Sequence, residues 1–205
     1  MTTKTATRMR QEERRKLSTK KLIKACLELA DEFGMSAVTF EAIGQKAGYS
    51  RGLASQKFGS KAGLMRAVIN QLHEEVARAR ADAHHEGMTG LEALEVFVHV
   101  HLNSLLKSSA NRAYFVLFCS AIAEKSEMRE LFAESHDRSK AELMELFSRG
   151  VEDGSVRKDI DVEQAALLTG SQLIGISTQS LADPNFDLER IETAFVSLIR
   201  TSYAA

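Results

Sequence analysis

The sequence is poor in the residues that interrupt helices or build cross-linked scaffolds. Its 205 residues include no Trp, one Pro and two Cys, and aromatic residues make up only 6%. No apolar run approaches the roughly 20 residues needed to span a bilayer, and the polar start lacks the apolar core of a signal peptide. Cys26 and Cys119 are far apart in apolar surroundings, so buried free thiols in a reducing cytoplasm are expected, although a disulfide stays possible.

What is present favours helix almost everywhere. Hydrophobic residues make up 44% and charged residues 27%, as in ordinary globular proteins, and the chain is long enough for one large or two small domains. Ala, Leu, Glu and Ser dominate, which predicts an all-helical fold without strands.

The stretch from Thr39 to Lys61, TFEAIGQKAGYSRGLASQKFGSK, predicts two helices joined by a tight turn. Thr39 can cap the first helix, Gly48 supplies the left-handed residue that ends it, and Ser50 can cap the second. Ser60 is expected to cap a third helix, which begins at Lys61.

The second of these helices has a polar outward face without a carboxylate, which suits the major groove of DNA. We expect Arg51 to contact a base edge and Gly52 to permit close approach, while Lys57 and Lys61 hold phosphates with help from Thr39 and Gln56. The predicted DNA-binding residues are Thr39, Arg51, Gly52, Leu53, Ser55, Gln56, Lys57 and Lys61.

The alternative is an ordinary helical hairpin with a polar face, and the charge distribution argues against it. Residues 1–66 hold 14 Lys or Arg against 6 Asp or Glu, a net charge of +8, whereas residues 67–205 hold 13 against 22, a net charge of −9. A basic head on an acidic body indicates a nucleic-acid partner for the head.

The segment GYSRGLASQKFGSKAGL resembles the DNA-binding head of the TetR-type repressors, whose usual form is G-V-S-x-G-x-L-Y-x-H-F-x-S-K-x-x-L. The matching positions are Gly48, Ser50, Gly52, Phe58, Ser60, Lys61 and Leu64. The departures are Tyr49 for Val, Ala54-Ser55 for Leu-Tyr and Lys57 for His. The resemblance covers about a third of the chain and implies a three-helix head, with a body that binds an inducer.

Three regions follow from these patterns. Residues 1–16 form a basic N-terminal arm, residues 17–63 a helix-turn-helix domain, and residues 64–205 a regulatory and dimerisation domain. The arm has two interpretations: a disordered tail, or a segment that lies along phosphates or enters the minor groove on DNA. The first of the three head helices is predicted from about Leu17 to Phe33.

The body pattern predicts a connecting helix from Ser60 to about His85, followed by helices near 91–106, 111–123, 128–151, 162–181 and 188–203. Such helices can enclose a mainly apolar cavity with a few polar groups. Taken one by one these side chains are better explained as core, and the family resemblance is what favours a cavity. The candidate ligand-binding residues are His101, Tyr114, Phe118, Cys119, Met144, Phe147, Gln172, Ile176 and Gln179.

The last two helices predict a dimer. Helix 162–181 has small residues that allow close approach of another backbone, and helix 188–203 has a broad apolar stripe near the chain end. The candidate interface residues are Gly170, Gly175, Ile191, Phe195 and Leu198. The alternative is that both helices pack wholly inside one monomer.

No known catalytic motif occurs, and His99 and His101 are two apart on a helix, where their side chains diverge. We therefore expect no metal and no cofactor. The predicted function is a sequence-specific transcriptional regulator, not an enzyme: a repressor released from an inverted-repeat operator by a small, mainly apolar ligand. The alternative is a helical enzyme or carrier whose basic head binds an acidic partner.

Overall fold

The computed structural model describes the backbone of residues 2–205 and the side chains from residue 11 onward, and its regular elements are helical. The α-helices are α1 (Thr2–Phe33), α2 (Phe40–Ala47), α3 (Arg51–Phe58), α4 (Lys61–Ala83), α5 (Gly90–Lys107), α6 (Ser109–Ala123), α7 (Met128–Asp153), α8 (Val162–Ala182) and α9 (Leu188–Tyr203). Within residues 2–205 the only extended pairing is an isolated bridge between Val156 and Ala204. None of the described helices is long and apolar enough to cross a bilayer.

The first helix is longer than the sequence analysis predicts. α1 begins at Thr2 rather than near Leu17, so the basic segment continues the helix. No Gly or Pro interrupts this segment, and Glu12 pairs with Lys16 one turn later. The contacts expected for Lys4, Arg8 and Arg10 on DNA lie outside the described side chains.

The predicted caps of the head helices are confirmed. The side-chain oxygens of Thr39, Ser50 and Ser60 accept hydrogen bonds from the backbone N–H groups of Ala42, Leu53 and Gly63. Further along the chain, Thr89 and Glu92 form a reciprocal capping box at the start of α5. Short polar signals thus set where these helices begin.

One core joins the head to the body. Leu22, Cys26 and Ile43 of the head and Leu117 and Phe132 of α6 and α7 belong to the same buried apolar cluster. Burial raises the pKa of the Cys26 thiol to about 12, as expected for a packed free thiol. Cys119, by contrast, is exposed, so the prediction of a second buried thiol is wrong.

A second buried cluster fills the body between α5, α7, α8 and α9. It includes Leu94, Leu102, Phe147, Leu173 and Ile199, all at most 2% exposed. α4 begins in the head and continues against α5 and α7 of the body, so one helix belongs to both regions.

Candidate DNA interface and ligand cavity

The turn between α2 and α3 is held tightly by backbone contacts. Gly48 has φ 75°, and the Tyr49 N–H donates to the Gly44 carbonyl at 2.8 Å. A side chain at Gly44 would meet backbone atoms of Tyr49, Ser50 and Arg51 at 3.0 Å. Glycine at this position therefore allows α2 and α3 to cross at short range.

This crossing presents one face of α3 to solvent. Arg51, Gly52 and Gln56 are exposed, and Leu53 and Ser55 are half-buried. Ala54 is fully buried in the head core. A Cβ added at Gly52 would meet only the Ser50 hydroxyl, at 3.8 Å, so the backbone there is open to close approach. The exposed face thus offers a guanidinium, an amide and accessible backbone.

The two predicted phosphate-binding lysines have different surroundings. The Lys57 ammonium donates to the Arg15 carbonyl and to the Thr19 hydroxyl, both at 2.9 Å. Loss of solvent, and then the charge of Arg15, lower the pKa of Lys57. A phosphate would have to compete with these bonds, which tie α3 to α1. Lys61 is exposed at the first turn of α4, where its ammonium is free to reach DNA.

The body contains a cavity of about 140 Å³ between five helices, α4 to α8. Its walls are mainly apolar, and each of the five helices also contributes polar groups, the largest number of them from α7. The lining residues are Leu72, His73, Val76, Arg80, Phe97, His101, Ser104, Asn111, Tyr114, Phe115, Ser135, His136, Ser139, Lys140, Leu143, Ala166, Leu167, Gly170, Ser171, Leu173 and Ile174.

Hydrogen bonds fix several of these polar groups. The Ser135 hydroxyl lies 2.7 Å from His73 Nε2 and 2.9 Å from the Tyr114 hydroxyl. The Ser177 hydroxyl donates to the Leu173 carbonyl at 2.7 Å, so it accepts from His101 Nε2 at 3.1 Å. His101 therefore carries its proton on Nε2.

Burial and positive neighbours keep the cavity histidines neutral. Burial, followed by the charges of Arg80 and His136, lowers the pKa of His101 to about 4. The pKa of His73 is also lowered to about 4, first by burial and then by Arg138, Arg80 and His136. Burial raises the pKa of Tyr114 to about 12.

Of the predicted ligand-binding residues, His101 and Tyr114 line this cavity. Phe118 lies behind its wall, where its ring packs on His136 and Phe132, and Phe147 is buried against Tyr203. Met144 is half-buried in the second core, and Cys119 faces solvent. The prediction that Phe118, Phe147, Met144 and Cys119 line the cavity is wrong. Helical periodicity alone does not distinguish a residue of the cavity wall from a residue of the core.

Sequence reasoning missed the basic groups of the cavity: Arg80, His73, His136 and Lys140. Their positions carry a signal. On α4, Arg80 lies four residues after Val76, and on α7, Lys140 lies four residues after His136. Residues four apart share one face of a helix, so this spacing indicates that both residues of each pair face the cavity.

Gln172, Ile176 and Gln179 lie elsewhere, in a shallow groove between α8 and α9. The groove also contains four of the predicted dimer residues: Gly175, Ile191, Phe195 and Leu198. The fifth, Gly170, lines the cavity instead, because it faces α7, with Leu143 as its nearest neighbour. Phe195 is only 5% exposed, whereas Leu198 is 47% exposed, so Leu198 is the accessible apolar residue of this groove.

Among the described residues, no group of three or more His, Cys, Asp or Glu is placed to hold a metal ion. The two surfaces that stand out are therefore the exposed face of α3 and the cavity in the body. A basic helix-turn-helix head on a helical body defines a DNA-binding protein of the transcription-regulator class.

The comparisons with known proteins identify the family. Residues 22–68 match the model of bacterial regulatory proteins of the tetR family, and residues 90–202 match that of the BetI-type transcriptional repressor C-terminal domain. The chain belongs to the TetR family of transcriptional regulators, with a BetI-type C-terminal domain. It is a DNA-binding regulator, and the enzyme alternative is set aside because the matching families and relatives are regulators.

Sequence relatives agree with this assignment. The chain is 33% identical to the HTH-type transcriptional regulator BetI of Stenotrophomonas maltophilia over 133 residues, which are 62% of this chain and 66% of that relative. It is 26% identical to the BetI regulator of Paraburkholderia phytofirmans over 195 residues, 92% of this chain and 96% of the relative.

Solved structures share the fold at low sequence identity. A putative TetR-family regulator from Rhodococcus sp. superposes with a TM-score of 0.80 at 18% identity, over 90% of this chain and 97% of that one. The SmeT–triclosan complex superposes with a TM-score of 0.76 at 17% identity, over 92% of both chains.

Proposed function

We propose that this regulator is a cytoplasmic repressor that binds an inverted-repeat operator as a homodimer and is released by a small, mainly apolar ligand in the body cavity. The observation that carries the proposal is the presence, in one chain, of an exposed recognition face on α3 and a cavity that shares the helix α4 with the head.

The DNA part of the proposal rests on exposed chemistry. Arg and Gln are residue types that read base edges in the major groove, and Arg51 and Gln56 are both exposed on α3. Lys61 stands at the start of the next helix, where an ammonium and a helix N-terminus both attract a phosphate. The net charge of +8 over residues 1–66 supports the same role.

The ligand part rests on the cavity. Its wall contains the apolar groups of Leu72, Phe97, Leu143 and Ile174, with a minority of polar groups, which is typical of small-molecule sites. SmeT, whose fold is similar, forms a complex with triclosan, a small molecule. That similarity supports a ligand-binding body here without identifying its ligand.

Two helices provide the physical link between cavity and head. Leu72, Val76 and Arg80 of α4 line the cavity, and α4 starts directly after α3. On α6, Tyr114 lines the cavity, while Arg112 pairs with Asp31 of α1 at 3.3 Å. A ligand that shifts α4 or α6 would change the orientation of the head, so ligand and operator would antagonise each other by linkage.

The dimer part rests on the groove between α8 and α9. Leu168 and Leu198 are 57% and 47% exposed, and both lie on the outer faces of these helices. A Cβ added at Gly175 would meet nothing within 4 Å, so another backbone has room to approach. Pairing α8 and α9 with their copies would form a four-helix bundle about a two-fold axis, which would direct two heads at two half-sites.

Selection of bound fragments from a random DNA pool tests the proposal. The expected result is an inverted repeat bound by the homodimer, from which a mainly apolar small molecule releases the protein. A screen in which only highly charged metabolites release the operator would contradict the ligand part. Recovery of no common sequence, with equal affinity for all fragments, would contradict the operator part.

A further inference from the structure

The polar groups of the cavity are biased toward hydrogen-bond donors and positive charge. Among the described lining residues there is no Asp or Glu, whereas Arg80 and Lys140 are cations and three are histidines. No Arg or Lys is among the ligand-binding residues predicted from the sequence, so this bias is visible only in the structure.

Two of these groups are buried without a partner. Within the part of the chain that the structure describes, Arg80 Nε and His136 Nε2 are buried and form no hydrogen bond. A buried donor that lacks an acceptor is destabilising, so such groups usually meet a ligand or an ordered water. Both residues line the cavity, so an acceptor placed there can approach each side chain. In the tautomer with its proton on Nε2, His136 is a donor like Arg80 Nε.

The guanidinium of Arg80 is held in a fixed position. Its Nη2 donates to Glu142 Oε2 at 2.8 Å, and its Cζ lies 4.4 Å from the centre of the Phe97 ring. Glu142 already balances most of the Arg80 charge, and Glu163 lies 3.3 Å from the Lys140 ammonium. The cavity therefore has donors to offer but little unbalanced charge, which favours one acidic group over several.

The basic groups lie close enough to influence one another. Burial is the main cause of the lowered pKa of His73 and of His101, and the positive charge of Arg80 lowers both further. A further cation in this cluster would meet the same repulsion, whereas a carboxylate would relieve it. The cluster thus discriminates by charge as well as by shape.

We propose that the cavity binds an apolar molecule that carries a single carboxylate, with the carboxylate accepting hydrogen bonds from Arg80 Nε and His136 Nε2 and the apolar part lying against Phe97, Leu143 and Ile174. The volume of about 140 Å³ is that of roughly five waters in the liquid, so it encloses the carboxylate and a few carbon atoms, and a longer chain would extend beyond the cavity. The inference rests on the proposed function, because it assigns the chemistry of the releasing ligand.

Three probes with the same eight-carbon chain separate the alternatives: octanoate, octan-1-ol and octyltrimethylammonium. Their affinities for the full-length protein are measured by isothermal titration calorimetry at neutral pH. We expect octanoate to bind about tenfold more tightly than the alcohol, since hydrogen bonds to a charged acceptor are stronger than those to a neutral one. The quaternary ammonium should bind most weakly.

Two variants connect this preference to the named donors. Arg80→Gln combined with Glu142→Gln removes the guanidinium without leaving its partner carboxylate unpaired, and His136→Phe removes Nε2 while keeping a ring against Phe118. Each should abolish most of the octanoate preference, measured as the ratio of octanoate to octanol affinity in the same variant. Arg78→Gln, on the exposed side of the same helix, is the matched control and should keep the preference.

Three results would overturn the inference: octanoate that does not bind, an ammonium probe that binds at least as tightly as octanoate, or an octanoate preference that survives in both variants. Measuring release of the operator by each probe distinguishes a wrong carboxylate assignment from a wrong proposed function. If octanol displaces the operator as well as octanoate does, release by an apolar ligand stands and the carboxylate assignment falls. Circular dichroism of each variant verifies that it is folded.

Discussion

The head and the body place their polar groups in opposite environments. In the head, the groups proposed to contact the bases of DNA lie on one short exposed helix, with Arg51 and Gln56 in solvent. In the body, they come from five helices and are mostly shielded from solvent: the Arg80 side chain is 15% exposed and His101 is half-buried. An exposed basic surface suits a long polyanion, which is attracted over distance, whereas buried donors suit a small molecule enclosed on all sides.

The same contrast explains which surface tolerates change. Exposed side chains of α3 contribute little to the folded head, so their replacement should affect DNA binding alone. The cavity groups are bonded to one another, as in the Ser135, His73 and Tyr114 chain, so their replacement affects stability and ligand binding together. The predictions below test this division, from the largest expected effect to the smallest.

Leu198→Glu should break the proposed dimer, because it places a charge on the exposed apolar side of the α8–α9 groove. We expect a folded monomer whose operator affinity is lower by about a thousandfold, since one head alone loses the effective concentration of the second. Leu106→Glu, at a position 49% exposed on α5, is the matched control. Analytical ultracentrifugation and fluorescence anisotropy measure both properties, and a dimeric Leu198→Glu protein with normal operator binding would remove the interface assignment.

Gly90→Ala should destabilise the body by about 3 kcal/mol, since overpacking against fixed backbone is costly. The added Cβ would lie 2.1 Å from the Gly150 backbone nitrogen, where α5 and α7 touch. Gly52→Ala is the control, because its Cβ has ordinary contacts only. Urea unfolding provides the free energies. Equal stability of Gly90→Ala and the wild type would show that this close approach is not required.

Arg51→Ala should weaken specific operator binding by about 2 kcal/mol and relax the preference at one position of each half-site. Lys61→Ala should instead weaken all DNA sequences alike and flatten the dependence of affinity on salt. Both leave small-molecule binding unchanged, because neither residue lines the cavity. Should the two variants lower specific and random binding by equal factors, the division of roles between base and phosphate contacts is incorrect.

His101→Gln should reduce the loss of unfolding free energy on acidification by on the order of 1 kcal/mol. The pKa of His101 falls from its ordinary value of 6.5 to about 4 in the folded protein, so only the unfolded chain takes up this proton between those values. Stability is therefore lost as the pH falls from 6.5 toward 4. The loss between about pH 7 and pH 5 should be smaller in the variant.

His85→Gln, at an exposed position after α4, is the control and should keep the wild-type pH dependence. Thermal or urea unfolding at both pH values measures the difference. An unchanged acid sensitivity in His101→Gln would mean that this histidine is not held neutral by the cavity.

The head could be predicted from the sequence because its signals are local. Thr39, Ser50 and Ser60 lie directly before the helices that they cap, and Gly48 lies in the turn, so each signal depends on a few neighbouring residues. Lys57 was the exception: its contact with Arg15 and Thr19 joins residues 42 and 38 positions apart, which no local pattern reveals.

The cavity could be predicted only in part for the same reason. Helix bounds in the body agree with the apolar periodicity to within a few residues, yet the angles between helices decide which polar residue reaches the cavity. Gln172 was predicted to line the cavity but lies in the α8–α9 groove, whereas Gly170 was predicted for the dimer interface but lines the cavity. The two residues are two positions apart on α8 and therefore face different surroundings. His73 and Arg80 were missed because a polar residue beside an apolar stripe resembles an exposed one.

The most direct test of the account measures coupling in both directions. Operator affinity is measured by fluorescence anisotropy with and without a saturating effector from the release screen, and effector affinity is measured calorimetrically on the free and the operator-bound dimer. The account predicts that both affinities fall by the same factor, at least about fivefold, because linkage is reciprocal. An effector whose binding is lost in His136→Phe, and which therefore occupies the cavity, yet leaves operator affinity unchanged would contradict it.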